Sequence, residues 1–329
     1  MIQIKISNTE VKEFYKKINT TKSNYKSLSC KLQELINELE GNNLLQEANI
    51  VKYVRKNLKH IIVNTPRGLE KIISDFEKKG YQDLIYNKGT DKLEELGKKI
   101  RKTFNYKSFR GTLNAKWLSE TLAVKSCSYC NTQYTISTPK KSLYQFDHFY
   151  PKSIYPYLSL SFYNLIPSCV NCNQGKSKKL FKLNESVHPY IEGFNEIAEF
   201  KVEKENLVSF LINPIKNQNL VKHHIDLKAK YFGDNEYEEK YENYLKEFSI
   251  KEQYNNFDDV VSEMYLKSRY YDKARRKELR NFFEEEEIKL TEEMIRRFIV
   301  GNYVDDKDLL KRPLAKFMKD IGKNIHLIN

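Results

Sequence analysis

The chain has 329 residues, enough to bury one large or two modest cores, with 57 Lys and Arg against 44 Asp and Glu. A formal net charge of +13 and a pI near 9.2 favour a polyanionic partner, since clustered cations on phosphate gain from counterion release. No apolar run approaches the ~18 residues that a membrane span needs, and MIQIKISNTEVKEF turns polar too early for a secretory leader, so a cytoplasmic protein with no membrane partner is expected.

In chain order, SNTEVKEF reads as a helix start, with Asn8 or Thr9 capping ahead of Glu10 and Glu13. KSLSCKLQELINELE, LLQEANIVKYVRKNLKHIIV, RGLEKIISDFEKK, DKLEELGKKIRKTF and TLNAKWLSETLAV follow with helical periodicity. Cys30 lies in the first of these, where a small buried apolar residue fits, and Trp117 in the last reads as helix core. Through residues 125–190, Cys, Tyr, Pro, Ser and Asn rise and the periodicity fades. EFKVE and LVSFLI then alternate like a hairpin around Lys204 to Asn206. From about Asn217 the chain reads as helical again, with one long stretch from Asp258 to Glu287 whose apolar stripe either docks on this chain's own core or meets a partner. The expected fold is mainly α with a small α+β insert: a helical region over 1–124, a metal-bearing module over 125–190, and a short hairpin followed by helices over 191–329.

The module concentrates the chemistry. Between Lys125 and Glu185 there are eight lysines and two acids, Asp147 and Glu185. Cys127-Ser-Tyr-Cys130 and Cys169-Val-Asn-Cys172 are two Cys-x-x-Cys turns separated by 38 residues. Two such turns supply the four thiolates of a closed tetrahedral zinc site; a redox dithiol or disulfides are the alternatives, disfavoured in a reducing compartment without a thioredoxin-like context. A four-thiolate zinc has no open position, so it is structural. Asp147-His148 lies between the turns, after the strand-like LYQF. Neighbouring strand residues face opposite ways, so serving one site would require the chain to leave strand geometry there, as Pro151 suggests. Asn164 either caps a turn or belongs to the site, and Asn173 either caps a short helix or offers an oxygen beside Cys172. Lys176, three residues on, shares Asn173's helix face.

The ordered set Cys-x-x-Cys, Asp-His, Asn, Cys-x-x-Cys-Asn-x-x-Lys, ending in LIPSCVNCNQGKSKK, resembles the HNH, or ββα-metal, endonucleases over about residues 125–180. The resemblance implies that Asp147 and Asn173 bind one divalent cation, Mg²⁺ or Mn²⁺. It further implies that His148 is the general base and that Asn164 orients the His148 loop. Lys152, Lys176, Lys178 and Lys179 are the expected nucleic-acid contacts. The chemistry agrees, because an imidazole can take a proton from water near neutral pH and a cation held by two protein oxygens keeps positions for water and phosphate. More loosely, a basic helical leader, a central HNH module and the following HPYIEGFNEIAEF are similar in layout to the HNH nucleases of Septu-type and retron-associated anti-phage systems, which implies an ATPase partner.

The expected function is thus metal-dependent hydrolysis of phosphodiester bonds, with DNA favoured and RNA such as tRNA as a second substrate class. The rival is a zinc ribbon that binds nucleic acid without catalysis; His148 separates the two, because a binding module has no use for it. His188 is expected to close a loop, His223 and His224 to be surface or core filling, Lys140 and Lys141 to be solvated or phosphate contacts, and Glu284 to Glu287 to form a solvated face.

Overall fold

Ser7, one residue ahead of the expected caps, starts the first helix. Its Oγ accepts from Glu10 N while the Glu10 carboxylate accepts from Ser7 N at 2.8 Å, a reciprocal box that satisfies two helix-end donors. The computed structural model describes residues 2–21, 26–138, 144–194, 198–202, 225–229, 235–285 and 290–328. These fall into two compact units, residues 4–123 with 136–191, and residues 1–3 and 124–135 with 192–329.

In the first of these units the leading helices are α1 (Asn8–Ile18), α2 (Leu28–Gly41), α3 (Leu45–Lys56), α4 (Leu58–Val63) and α5 (Pro66–Lys78). The single expected helix over 44–63 breaks at Asn57, and Cys30 is exposed on α2 rather than buried. A two-residue ribbon, β1 (Tyr86–Asn87) with β2 (Lys92–Leu93), precedes α6 (Glu95–Phe104), α7 (Tyr106–Phe109) and α8 (Leu113–Leu122). Trp117 is half-buried, with Lys17 Nζ 4.9 Å from its ring centroid. The strands β3 (Gln145–His148) and β4 (Leu165–Ser168) pair antiparallel, His148 opposite Leu165, and α9 (Val170–Lys176) follows directly.

The leading helices and the segment after β3 share one core. Phe76 stacks on Tyr157 with centroids 4.1 Å apart, and Phe14 meets Phe162 edge-on at 5.4 Å. Polar bonds fix the same seam: Ser161 Oγ donates to Ile61 O at 2.6 Å and Gln82 Nε2 to Ile154 O at 2.8 Å.

The second unit contains β5 (Ala198–Val202) paired antiparallel with β6 (Ile225–Ala229), then α10 (Asn235–Glu247), α11 (Ile250–Tyr254), α12 (Asp258–Tyr270), α13 (Lys273–Glu285), α14 (Glu292–Val300) and α15 (Ala315–Asn324). The strand expected over EFKVE forms, but its partner is β6, a strand where helix was expected. LVSFLI, His223 and His224, with Lys140 and Lys141, lie outside the described residues. The expected long helix is two, α12 and α13. Val261, Met264 and Tyr265 of α12 are buried within this unit, whereas α13 buries no residue. A buried pair ties β5 to α15. Lys316 Nζ lies 2.6 Å from Asp320 Oδ2 and donates to Ala198 O, while the same carboxylate accepts from Phe200 N.

Asn131 holds the segment after the first Cys-x-x-Cys. It is buried at φ +57°, a left-handed conformation that Asn tolerates better than most residues. Its amide donates to Ser126 Oγ at 2.8 Å and Leu309 O at 3.2 Å, its Oδ1 accepts from Lys316 N, and its carbonyl accepts from Leu314 N at 2.6 Å. Tyr129 stacks on Phe248 at 4.4 Å, and the hydroxyls of Tyr244 and Tyr254 donate to Tyr129 O and Cys130 O. Asn131→Ala leaves these buried groups without partners and is expected to cost about 2–4 kcal/mol, with Asn131→Gly recovering only the ~1 kcal/mol of backbone preference. Urea melts of the three proteins check this; equal midpoints for wild type and Asn131→Ala would refute it.

Candidate active site

The site begins with the register of β3 and β4. Asn164 ends a short 3-10 turn ahead of β4 and is fully buried. Its Oδ1 accepts from Tyr150 N at 2.7 Å, and its Nδ2 donates to Tyr150 O at 3.1 Å and Leu158 O at 3.0 Å. Its backbone carbonyl accepts from Phe149 N at 3.1 Å. The chain leaving β3 is therefore clamped by one amide, and His148 becomes the last residue of the strand. Strand geometry runs through both Asp147 and His148 and ends immediately after, rather than breaking between them.

His148 is 4 % exposed. Nε2 lies 3.0 Å from Ser159 O, which can only accept, so this nitrogen carries the proton. The lone pair is then on Nδ1, which faces Lys152 Nζ at 3.4 Å. Burial first, then Lys152, hold the imidazolium well below its ordinary range, with Lys176 and Arg101 adding to the effect. The ring is consequently neutral at neutral pH, with one defined basic nitrogen.

Asp147, 3 % exposed, faces the ammonium of Lys176 at 3.4 Å. Lys176 is fully buried and also donates to His148 O at 2.8 Å, with the Phe181 ring 5.0 Å away. This departs from its expected place as a phosphate contact: the side chain lies inside the site, against the acid and the strand. Asn173 is half-exposed on α9, and its Nδ2 donates to Gln145 Oε1, which leaves Oδ1 outside that bond. Lys152 is half-buried beside His148, where burial and then Arg101 lower its pKa. Lys178 and Lys179 are exposed on the surface, Lys178 at 3.2 Å from Asp91.

The sequence reading missed three residues on or beside α6 and α7. Tyr106, at the start of α7, packs its ring edge-on to His148 with centroids 4.4 Å apart and donates its hydroxyl to Phe146 O at 3.1 Å. Lys152 Nζ sits 5.1 Å from the same ring centroid, a cation–π contact. Arg110 donates to Tyr144 O at 2.6 Å, and Arg101 is exposed on α6 yet close enough to act on both His148 and Lys152. In sequence Arg101 is an ordinary member of an amphipathic helix and Tyr106 and Arg110 fall in the link after it, so nothing local distinguishes them. His188 is buried as a filler, its ring 4.2 Å from that of Phe149.

The sulfurs of Cys127, Cys130, Cys169 and Cys172 lie within 4.8 Å of one another and all four residues are buried. Zn–S bonds of about 2.3 Å place tetrahedral sulfurs about 3.8 Å apart, so this set fits zinc. Amide and hydroxyl donors point at the sulfurs: Thr132 Oγ1 to Cys130 Sγ at 3.1 Å, Thr132 N to the same atom at 3.4 Å, and Cys172 N to Cys169 Sγ at 3.4 Å. Such donors favour the thiolate that a metal needs.

Residues 127–180 match the family of HNH endonucleases. A stretch of 49 residues is 43 % identical to protein Ea31 of Escherichia phage lambda, covering 14 % of this chain and 17 % of Ea31. The chain thus spans about a sixth of that curated relative. No solved structure matches it. Among the described residues no helix is long and apolar enough to cross a membrane.

One zinc per chain is the expected result of metal analysis on the purified protein. Structural zinc sites contribute about 10–16 kcal/mol, so Cys172→Ser should lose the metal and unfold its surroundings rather than merely weaken binding. Zinc retained at full stoichiometry by Cys172→Ser would remove that residue from the ligand set.

Proposed function

We propose that this chain is a metal-dependent HNH endonuclease that hydrolyses phosphodiester bonds, with DNA as the favoured substrate. The observation that carries the reading is the neutral His148, whose protonated Nε2 is held by Ser159 O and whose Nδ1 lone pair is presented beside Lys152. A zinc ribbon that only binds nucleic acid needs no such imidazole. The β3–β4–α9 arrangement is read as the ββα-metal core of the family.

In this reading Asp147 and Asn173 supply hard oxygens suited to Mg²⁺ or Mn²⁺. The cation would neutralise charge at the scissile phosphate and leaving oxygen. His148 takes the proton of the attacking water at Nδ1, and its burial keeps it neutral for that step. Lys176 positions Asp147, Asn164 fixes the loop after His148, and the Tyr106 ring restrains the imidazole plane. Arg101, Lys152, Lys178 and Lys179 favour an approaching phosphate strand. A defence role with an ATPase partner is supported only by the layout of the chain. The α12 stripe considered for a partner buries Val261, Met264 and Tyr265 inside its own unit, so the nuclease reading stands without one.

Incubation of the purified chain with duplex DNA, single strands and tRNA, with and without Mg²⁺ or Mn²⁺, tests the proposal. Metal-dependent cleavage is expected, and His148→Ala should reduce its rate by about 10²–10⁴ while zinc content and strand binding persist. Cleavage at the wild-type rate by His148→Ala would refute the assignment. Tyr106→Ala should slow cleavage and Tyr106→Phe should largely restore it, because the phenyl ring keeps the wall and loses only the bond to Phe146 O; equal rates for the two variants would dismiss the ring's positioning role.

A further inference from the structure

A second cationic site lies far along the chain from the nuclease residues. Lys273, Arg276, Lys277 and Arg280 occupy positions i, i+3, i+4 and i+7 of α13, so one face of this helix is basic over its first two turns. With Glu292 and Arg296 of α14 they line a cavity of about 340 Å³. Like charges three and four residues apart repel, and a helix that buries none of its residues has no packing reason to hold them there. Arg280 pairs with Glu292 at 2.5 Å and Arg296 reaches Asp305 at 3.7 Å. Lys273, Arg276 and Lys277 have no carboxylate partner among the described residues.

The guanidinium groups are fixed rather than free. Arg276 donates from Nε to Tyr271 O at 2.9 Å and from Nη2 to Leu327 O at 2.6 Å. The buried Nε atoms of Arg280 and Arg296 have no acceptor among the described residues. A cavity lined by five cations and one acid has the chemistry of a phosphate site. Four cations spread over eight residues cover about 10 Å at 1.5 Å per step, which suits successive phosphates of a strand better than one isolated phosphate.

We propose that the α13–α14 cavity binds successive phosphates of a nucleic-acid strand. The choice of nucleic acid among phosphate-bearing ligands rests on the nuclease reading; the phosphate chemistry does not.

The test is fluorescence anisotropy of the full chain with a labelled oligothymidine of about 20 nucleotides, without added divalent cation. Affinity is followed between roughly 50 and 200 mM salt. Lys273 and Lys277 are exposed, so Lys273→Gln/Lys277→Gln should fold normally; it is expected to weaken binding several-fold and to flatten the plot of log affinity against log salt by about 1.4, or 0.7 per lost phosphate contact. Lys12→Gln/Lys16→Gln on α1 makes the same change in net charge and should leave the slope in place. An unchanged slope in the Lys273/Lys277 variant, or an equal loss in the α1 variant, overturns the proposal. Pyrophosphate binding more tightly than the strand at matched ionic strength overturns the strand assignment in favour of a small phosphate compound. Because no cleavage is measured, strand binding through this cavity by a chain that never cuts would refute the nuclease reading alone.

Discussion

One ammonium group organises the site. Lys176 carries its charge into a fully buried position and divides it between the Asp147 carboxylate and the carbonyl of His148. An unpaired charge at that depth would cost several kcal/mol, on the order of the desolvation penalty of a buried ion, so the lysine and aspartate require each other. The pair fixes α9 against β3, and with it the position of Asn173 relative to the strand that carries Asp147 and His148. The Asp147 carboxylate is therefore held in one orientation by the buried ammonium.

The second constraint is Asn164, and it works on backbone rather than charge. Its amide gives and takes three hydrogen bonds with Tyr150 and Leu158, and its own carbonyl takes Phe149 N. A strand end would otherwise leave those groups to water, which a buried site excludes. Because the loop after His148 is satisfied internally, the imidazole can be buried without leaving polar backbone unpaired. Burial then sets its chemistry: a neutral ring, one protonated nitrogen on Ser159, one lone pair facing Lys152.

The sequence made the module legible because its chemistry is local. Paired cysteines, Asp-His and the Asn-x-x-Lys ending each lie within a few residues; spacing points the cysteines to zinc, and the other roles are what the resemblance to the HNH endonucleases implies. The surroundings were not legible for the same reason. Tyr106 reaches His148 across 42 positions of sequence, and its place on α7 looks like any other aromatic on a short helix. Lys176 was misread in kind: charge suggested a phosphate contact, and only tertiary packing shows that the ammonium is enclosed. The break at Tyr271 and Asp272, which turns one expected helix into two, carries no Pro or Gly, so periodicity ran straight through it. The β6 strand likewise won over a helical reading through its pairing with β5, which local propensity does not record.

The leading helices are best understood through what they supply to the segment between β3 and β4. Residues 150–164 have few regular hydrogen bonds of their own, and stacking of Tyr157 on Phe76, of Phe162 on Phe14, and the bond from Ser161 to Ile61 hold them in place. That same stretch provides Ser159 O, the acceptor that decides the tautomer of His148. The chain of dependence runs from apolar positions on α1, α4 and α5, through an aromatic seam, to the protonation of one imidazole nitrogen. Helices that carry no recognisable chemistry in sequence thus set the tautomer of the buried imidazole.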